Sequence, residues 1–435
     1  MRRSDRGVRR TAPGIVKVMT VDVLVVGAGL AGLVCARELG RAGLQVEVLE
    51  ASDAVGGRVR TDVVDGYRCD RGFQLLNPAY PAVRELVDLD ALDLRQFAAG
   101  AALANGAGLT VVADPVRGPS YLPGTVRSGY LRPLELARLG AWAAPALGNV
   151  DRLLDRPDTT LAESLDRAGV RGRLRTELFE PFITGVLADD TGATSATFVR
   201  LLVRSFLRGV PGVPAQGMAA LSAQVADGLR APVALGVRAH EVGPGRVRSD
   251  AGEHLARAVV VATDPVSAGG LTGEGPVPMK GLVTYWFAAP EPPTTLDLLV
   301  LDPQRRGPVV NTAVMTNVAP SYAPDGRHLV QATTLLKDDT GEAAVRSHLA
   351  QMYGTPVDAW QLVVRHEIAG ALPVQPPGSG VRRPVRLSDG LFVAGDHRDT
   401  GSIQGAMVSG RRAAAAVRAA LGQAPAGPGQ VGCPG

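Results

Sequence analysis

Three glycines spaced as Gly27-x-Gly29-x-x-Gly32, an acid at Glu50 and the run Gly56-Gly57-Arg58 have the types and spacing to hold a dinucleotide. Gly27 permits a tight turn after a strand. Gly29 lets the backbone approach a pyrophosphate, and Gly32 allows close helix–strand packing. Ala28, Leu30 and Ala31 fill the turn and add backbone amides at what would be a helix N-terminus, where partial positive charge favours phosphate. Glu50, with Ala51 behind it, is placed to accept from adenosine ribose hydroxyls and would repel a 2′-phosphate, which disfavours NADP. Gly56-Gly57 offer a second close backbone approach, and Arg58 a fixed positive charge for a diphosphate. These residues alone leave NAD and FAD both open.

The elements around them fit. "VDVLVV" (Val21 to Val26) reads as a buried parallel strand, a helix is expected to about Ala42 with Gly43 at its end, and "LQVEVLE" is the next strand. Strand, glycine turn, helix and strand in about thirty residues is the context that the fingerprint requires. From Pro81 to Gly209 the pattern becomes mostly that of a helical insertion, with "LAESLDRAGVRGRLRTELF" and "SATFVRLLVRSFLRG" as its amphipathic stretches. Further on, "GMAALSAQVADGL" reads as helix and "APVALGVRAHEV", "ARAVVVAT", "GLVTYWFAA", "HLVQATTLL" and "GLFVAG" as strands, before a last helix in "SIQGAMVSGRRAAAAVRAAL". Asn105-Gly106 is a hairpin-turn signal.

Composition narrows the class. The chain has 435 residues, 46% hydrophobic and only 4% aromatic, enough for two or three domains with a large core. The net charge of +4 is concentrated in one arm: residues 1–18 carry six basic residues against Asp5, leaving the remainder at −1. A solvated leader upstream of a start at Met19 is expected rather than a nucleic-acid tail, since no nucleic-acid motif accompanies it. Cys35, Cys69 and Cys433 form no paired framework or C-x-x-C, so a reduced, cytoplasmic setting is expected and a disulfide reductase is not. No apolar run is long enough to span a membrane, and the six histidines show no metal-ligand spacing.

Beyond Arg58 the sequence resembles the flavin-containing amine oxidase superfamily. The resemblance rests on Glu50 followed by "ASDAVGGRVRT", on "CDRGFQLL", and on "GLFVAGDHRDTGSIQGAMVSG". It implies FAD as the cofactor. It further implies that the backbone of Gly72, Phe73 and Gln74 faces the isoalloxazine, and that Val233 contacts adenine through its main chain. At the C-terminal motif it implies that Asp396, after Gly395, bonds a ribityl hydroxyl. The helix start around Gly405, Ala406 and Met407 then points at the N1/O2 edge of the flavin. His397 is expected to be an unreactive loop histidine.

Two departures from the amine-oxidising branch stand out. The position of its usual lysine falls on Thr284, with Lys280 four residues earlier, and a cage-tyrosine position falls on Ser402. "FEPFITGVLADD", "PAQGM" and "DRGFQLLNPAYP" are instead similar to the phytoene desaturase-like and protoporphyrinogen oxidase-like subgroup. Phe182, Val186, Tyr285 and Trp286 could line an apolar tunnel there, or could be plain core.

The expected fold is therefore α/β: a glutathione-reductase-like FAD-binding Rossmann domain interleaved with an α+β substrate domain that contains the helical insertion. The FAD-binding pieces are 19–80, 211–268 and 385–421, and the substrate pieces are 81–210 and 269–384. A basic arm at 1–18 and a tail at 422–435 are expected to be disordered. The expected activity is hydride transfer from a substrate carbon to flavin N5, on a small, apolar, polyene- or isoprenoid-like substrate. Oxygen or a quinone would be the acceptor, peripheral membrane contact is compatible, and neither nucleic acid nor a metal is involved. The alternatives are an amine oxidase, a flavin-bound protein without turnover, and an NAD-dependent dehydrogenase. No side chain presents itself as a necessary acid or base.

Overall fold

The computed structural model describes residues 21–106 and 108–423. The basic arm, Met19 and the tail from residue 424 lie outside the described residues. Val21–Val26 is apolar on both faces because both faces are covered. Val23 and Val25 pack into the large core with the helix Leu30–Arg41, while Leu24 and Val26 pack on the other side against Val247, Val259 and Leu391. The strand pairs in parallel with Val46–Glu50 (Val23 opposite Val46) on one edge and with Gly252–Val261 (Val23 opposite Ala258) on the other. Gly252–Val261 in turn pairs in parallel with Leu391–Val393. Antiparallel strands Ala239–Gly243 and Arg246–Ser249 continue this sheet beyond the N-terminal part of Gly252–Val261. One sheet thus draws on the start, middle and end of the chain. The helix Leu30–Arg41 ends at Ala42, and Gly43 follows at φ +87°, a left-handed conformation suited to glycine.

Among the described residues a second sheet has seven strands. Their order is Gln361–Pro373, Met279–Ala289, His328–Leu335, Val309–Val314, Leu299–Leu301, Gly100–Ala104 and Leu109–Ala113. Its pairings are antiparallel except that of Leu299–Leu301 with Gly100–Ala104. The Asn105-Gly106 signal lies in the connection between the last two strands, which pair as a hairpin (Ala104 opposite Leu109).

The segment 81–210 is less helical than its periodicity suggests. Leu94–Gln96, Gly100–Ala104 and Leu109–Ala113 are strands: the first pairs with Gly212–Pro214, and the other two pair with each other and extend the second sheet from Leu299–Leu301. After a short helix at Pro81–Leu86, the helices occupy its later part: Leu122–Arg127, Pro133–Ala143, Val150–Leu154, Leu161–Arg167, a π-helical turn Leu174–Phe179 running into Glu180–Leu187, and Ala196–Arg208. "LAESLDRAGVRGRLRTELF" is therefore two elements, divided where Gly169 and Gly172 adopt positive φ. Ser195 caps the last helix, its Oγ accepting from the Phe198 N–H at 3.1 Å.

Candidate functional site

The two sheets and the helical segment enclose a cavity of about 1090 Å³. At one end lies the glycine turn. Gly27 adopts φ +105°, and a Cβ there would sit 2.6 Å from the Ala262 carbonyl oxygen. A Cβ on Gly32 would sit 2.0 Å from the Gly27 oxygen, so Gly32 serves helix–strand packing and does not reach the cavity. Gly29 has open space where a Cβ would be, and lines the cavity with Leu30 and Ala31. The helix starting at Leu30 carries no side-chain cap and no acid in its first turn, so its amides stay available to an anion.

Glu50 ends the neighbouring strand and lines the cavity beside Ala51. Its Oε2 accepts from the Ala28 N–H at 2.7 Å, and its Oε1 from the Ser52 N–H at 2.9 Å, which fixes the carboxylate. Ala28 is thus committed to the turn, its carbonyl also accepting from the Gly56 N–H at 2.8 Å. Gly56 and Gly57 adopt positive φ and, with Arg58, line the cavity. Arg58 donates to Asp396 Oδ1 at 2.5 Å and to the Ala371 carbonyl at 2.8 Å. Burial acts to lower the Arg58 pKa, and the Asp396 carboxylate overrides it, so the net shift is upward. Asp396 makes no second hydrogen bond through Oδ2 within the described residues.

Gly72, Phe73 and Gln74 line the cavity opposite Leu282 and Ile368. Gly72 has φ +96°, and a Cβ there would lie 3.0 Å from Ile368 Cδ1. Gln74 donates to the Arg58 carbonyl at 2.7 Å and leaves its buried Oε1 without a partner. Gly395, Ser402 and Ala406 complete this part of the wall together with Gly401 and Ile403.

Several expected positions fall elsewhere. Val233 is not a cavity residue and packs against the large core; Val237, four residues on, lines the cavity and donates its N–H to the Glu50 carbonyl at 2.9 Å. Gly405 gives its N–H to Ser402 Oγ at 3.1 Å and packs against Thr400, and Met407 is fully buried in the core. At the helix start, residues 403 and 406 face the cavity in their place, as helical spacing demands. Tyr285 points to the far side of its sheet, where its hydroxyl donates to Asp339 at 2.8 Å. Trp286 faces the near side but is core, donating to the Asp70 carbonyl at 3.2 Å. Thr284 is fully buried, 3.5 Å from Thr333 Oγ1, and does not line the cavity. Lys280 is held by Asp189 at 2.9 Å and Thr194 at 2.7 Å. His397 is buried with both ring nitrogens unpartnered, and that burial lowers its pKa.

Phe182 and Val186 do line the cavity. Residues that the sequence did not single out extend their wall: Phe97, Leu139, Phe179, Leu202, Phe206 and Leu299. Arg60, Arg71, Arg117 and Asn311 also border the cavity. Their signal in the sequence was that of any core or surface residue. Among the described residues no group of His, Cys, Asp and Glu is arranged to hold a metal ion, and no helix is long and apolar enough to cross a membrane.

Known proteins resemble this chain in sequence over a short stretch and in fold over most of its length. A putrescine oxidase of Kocuria rosea is 51% identical over 67 residues, a stretch covering 15% of this chain and 14% of that protein. The curated relatives are thus matched over a small part of their length. Solved structures match far more widely. An oxidoreductase from Methanosarcina mazei superposes with a TM-score of 0.70 at 18% identity, covering 90% of this chain and 99% of that one. Cyclohexylamine oxidase from Brevibacterium oxydans gives 0.69 at 19% identity, covering 93% and 100%. At such identities these structures speak for the fold. Fold and family together define an FAD-dependent oxidoreductase. The chain belongs to the flavin-containing amine oxidoreductase family, whose model matches residues 30–418.

Proposed function

We propose that this enzyme oxidises an apolar, isoprenoid-like substrate. The observation that carries the reading is the distribution of charge around the cavity. Among the described residues its acidic lining groups are Glu50, Asp264 and Asp396, each at the C-terminal end of a strand of the parallel sheet. The wall made by Phe97, Phe179, Phe182, Val186, Leu202 and Phe206 carries no carboxylate. A cationic amine there would be desolvated without a counter-charge. The rings also meet edge to face, Phe182 with Phe206 at 71° and Phe73 with Phe97 at 83°, rather than as two parallel walls around an ammonium group.

In this reading 19–80, 211–268 and 385–421 hold FAD, and 81–210 with 269–384 hold the substrate. The open amides after Gly29 take the diphosphate and Glu50 a ribose hydroxyl. The Val237 backbone, rather than that of Val233, borders adenine. Arg58 and Asp396 brace the centre, with Asp396 Oδ2 left for a ribityl hydroxyl. The backbone of Gly72 to Gln74 and the start of the helix Ile403–Ala420 flank the isoalloxazine, where the helix N-terminus stabilises negative charge. The fit is supported by the uncapped helix, the glycine cradle and the unpartnered Gln74 Oε1. Bound FAD supplies the acceptor for two electrons and a hydrogen from a substrate carbon. The chain itself binds, orients and excludes water, and no acid or base is assigned.

Access is from a greasy, basic surface. Residues 116–147 expose Val116, Leu122, Val126, Leu131, Leu134, Leu136 and Leu147 and carry four arginines against one glutamate. Leu139 of the same helical segment and Arg117 border the cavity. Peripheral contact with an anionic membrane would let an apolar substrate pass directly from lipid to cavity.

Anaerobic mixing of the yellow holoprotein with polyene and amine panels tests the substrate class. Bleaching of the flavin absorbance by an isoprenoid polyene and by no amine is expected. Bleaching by putrescine or cyclohexylamine would overturn the reading. Reoxidation with oxygen and with a quinone then distinguishes the acceptors.

A further inference from the structure

One wall of the cavity is the inner face of the seven-stranded sheet. Among the described residues its strand positions that line the cavity are apolar or glycine, Leu282, Leu299 and Ile368 among them, with one polar exception: Asn311 on Val309–Val314. Asn311 is 4% exposed. Its Oδ1 accepts from Gln331 Nε2 at 3.2 Å, and Gln331 also donates to Thr333 Oγ1, so the oxygen end of the Asn311 amide is held from behind. Its Nδ2 has no hydrogen-bond partner within the described residues. Asn311 borders the cavity with that end of its amide unpaired, and a polar group left so is open to a ligand there.

A second feature lies against this amide. Gly185 sits inside the helix Glu180–Leu187, where glycine weakens the helix, and it too lines the cavity. A Cβ at Gly185 would lie 2.3 Å from Asn311 Nδ2. Glycine at 185 is therefore what lets the helix lie against the unpaired end of the Asn311 amide.

We propose that Asn311 is the polar anchor for substrate, its Nδ2–H donating to one neutral oxygen, a hydroxyl or carbonyl, on an otherwise apolar molecule. The substrate class is then a mono-oxygenated isoprenoid rather than a pure hydrocarbon. This inference rests on the apolar-substrate reading above.

The test is equilibrium binding of two probes to the holoprotein, delivered from cyclodextrin and read by perturbation of the flavin spectrum. One probe is farnesol; the other is the hydrocarbon in which a methyl replaces its CH2OH. Farnesol is expected to bind about tenfold more tightly, the scale of one neutral hydrogen bond in a dry site. Asn311→Leu should erase that preference while hydrocarbon affinity and flavin content stay unchanged. Equal binding of both probes by the unsubstituted protein overturns the anchor alone and needs no variant. Binding of neither probe overturns the apolar-substrate reading, and this inference with it.

Discussion

Arg58 and Asp396 are 338 positions apart in the chain and 2.5 Å apart in the fold. Asp396 keeps 4% of its side chain exposed against 29% for Arg58, so the carboxylate depends more on the pair than the guanidinium does. Replacing Arg58 by methionine strands that carboxylate. The expected cost is roughly 3 kcal/mol of stability, the low end for breaking a buried pair, together with loss of bound flavin. The double variant Arg58→Met/Asp396→Asn should regain most of the stability and little of the flavin. Denaturation midpoints and the ratio of flavin to protein absorbance check both. Equal flavin content in the single variant and the parent would refute the assigned role of Arg58. At this scale the sequence named Arg58 and Asp396 separately, and could not show that they touch.

Among the elements, Asp70 is a tie between three of them. Its carboxylate accepts from Thr61 on the strand Thr61–Val64, from the Met218 N–H at 2.9 Å at the start of the helix Ala219–Asp227, and from the Tyr322 hydroxyl at 2.9 Å. Burial pushes its pKa up from the ordinary 3.8 to about 6, and the three hydrogen bonds oppose that only in part. Between pH 4 and 6 the folded protein therefore retains a proton that the unfolded chain has lost. Stability contributed by this group is full below that window and falls as pH rises through it, by about 3 kcal/mol in total. Asp70→Asn should flatten that part of the profile. Urea unfolding at intervals from pH 4 to 7 measures it, and an unchanged slope in the variant would count against the assignment. Legible in the sequence were "VDVLVV", the glycine turn and "LQVEVLE", which form the expected strand, helix and strand; the strands Thr61–Val64 and Tyr67–Asp70, which bring Asp70 to its partners, were not. Of residues 94–113 only the Asn105-Gly106 turn was legible, because a short run such as "GAALA" is marked as a strand only by its pairing, with Leu109–Ala113 nearby and with Leu299–Leu301 far along the chain.

For the whole molecule, the exposed leucines and valines of 116–147 beside the cavity predict association with lipid. Co-sedimentation with vesicles containing phosphatidylserine is expected, weakening with salt because the arginines contribute. Leu134→Glu/Leu136→Glu should lower the bound fraction severalfold and leave flavin content intact, since both side chains face solvent. No binding to such vesicles at low salt would remove the membrane from the account.

The sequence by itself determined the nucleotide end. Glycine positions, Glu50 and Gly56-Gly57-Arg58 act through backbone geometry and local spacing, which a linear pattern records. Even there Val233, expected beside adenine, lies off the cavity while Val237 lines it, and a linear pattern cannot separate two valines in one short irregular stretch. At the substrate end the sequence picked out Phe182 and Val186, and the tertiary structure decided the rest. Tyr285 and Trp286 are adjacent in the chain, yet a strand sends them to opposite faces, and neither face of this strand brings them into the cavity. Asn311 and Gly185 carry no motif; their meaning arises from a helix laid across a sheet, a contact between segments 126 residues apart that packing creates and spacing does not encode.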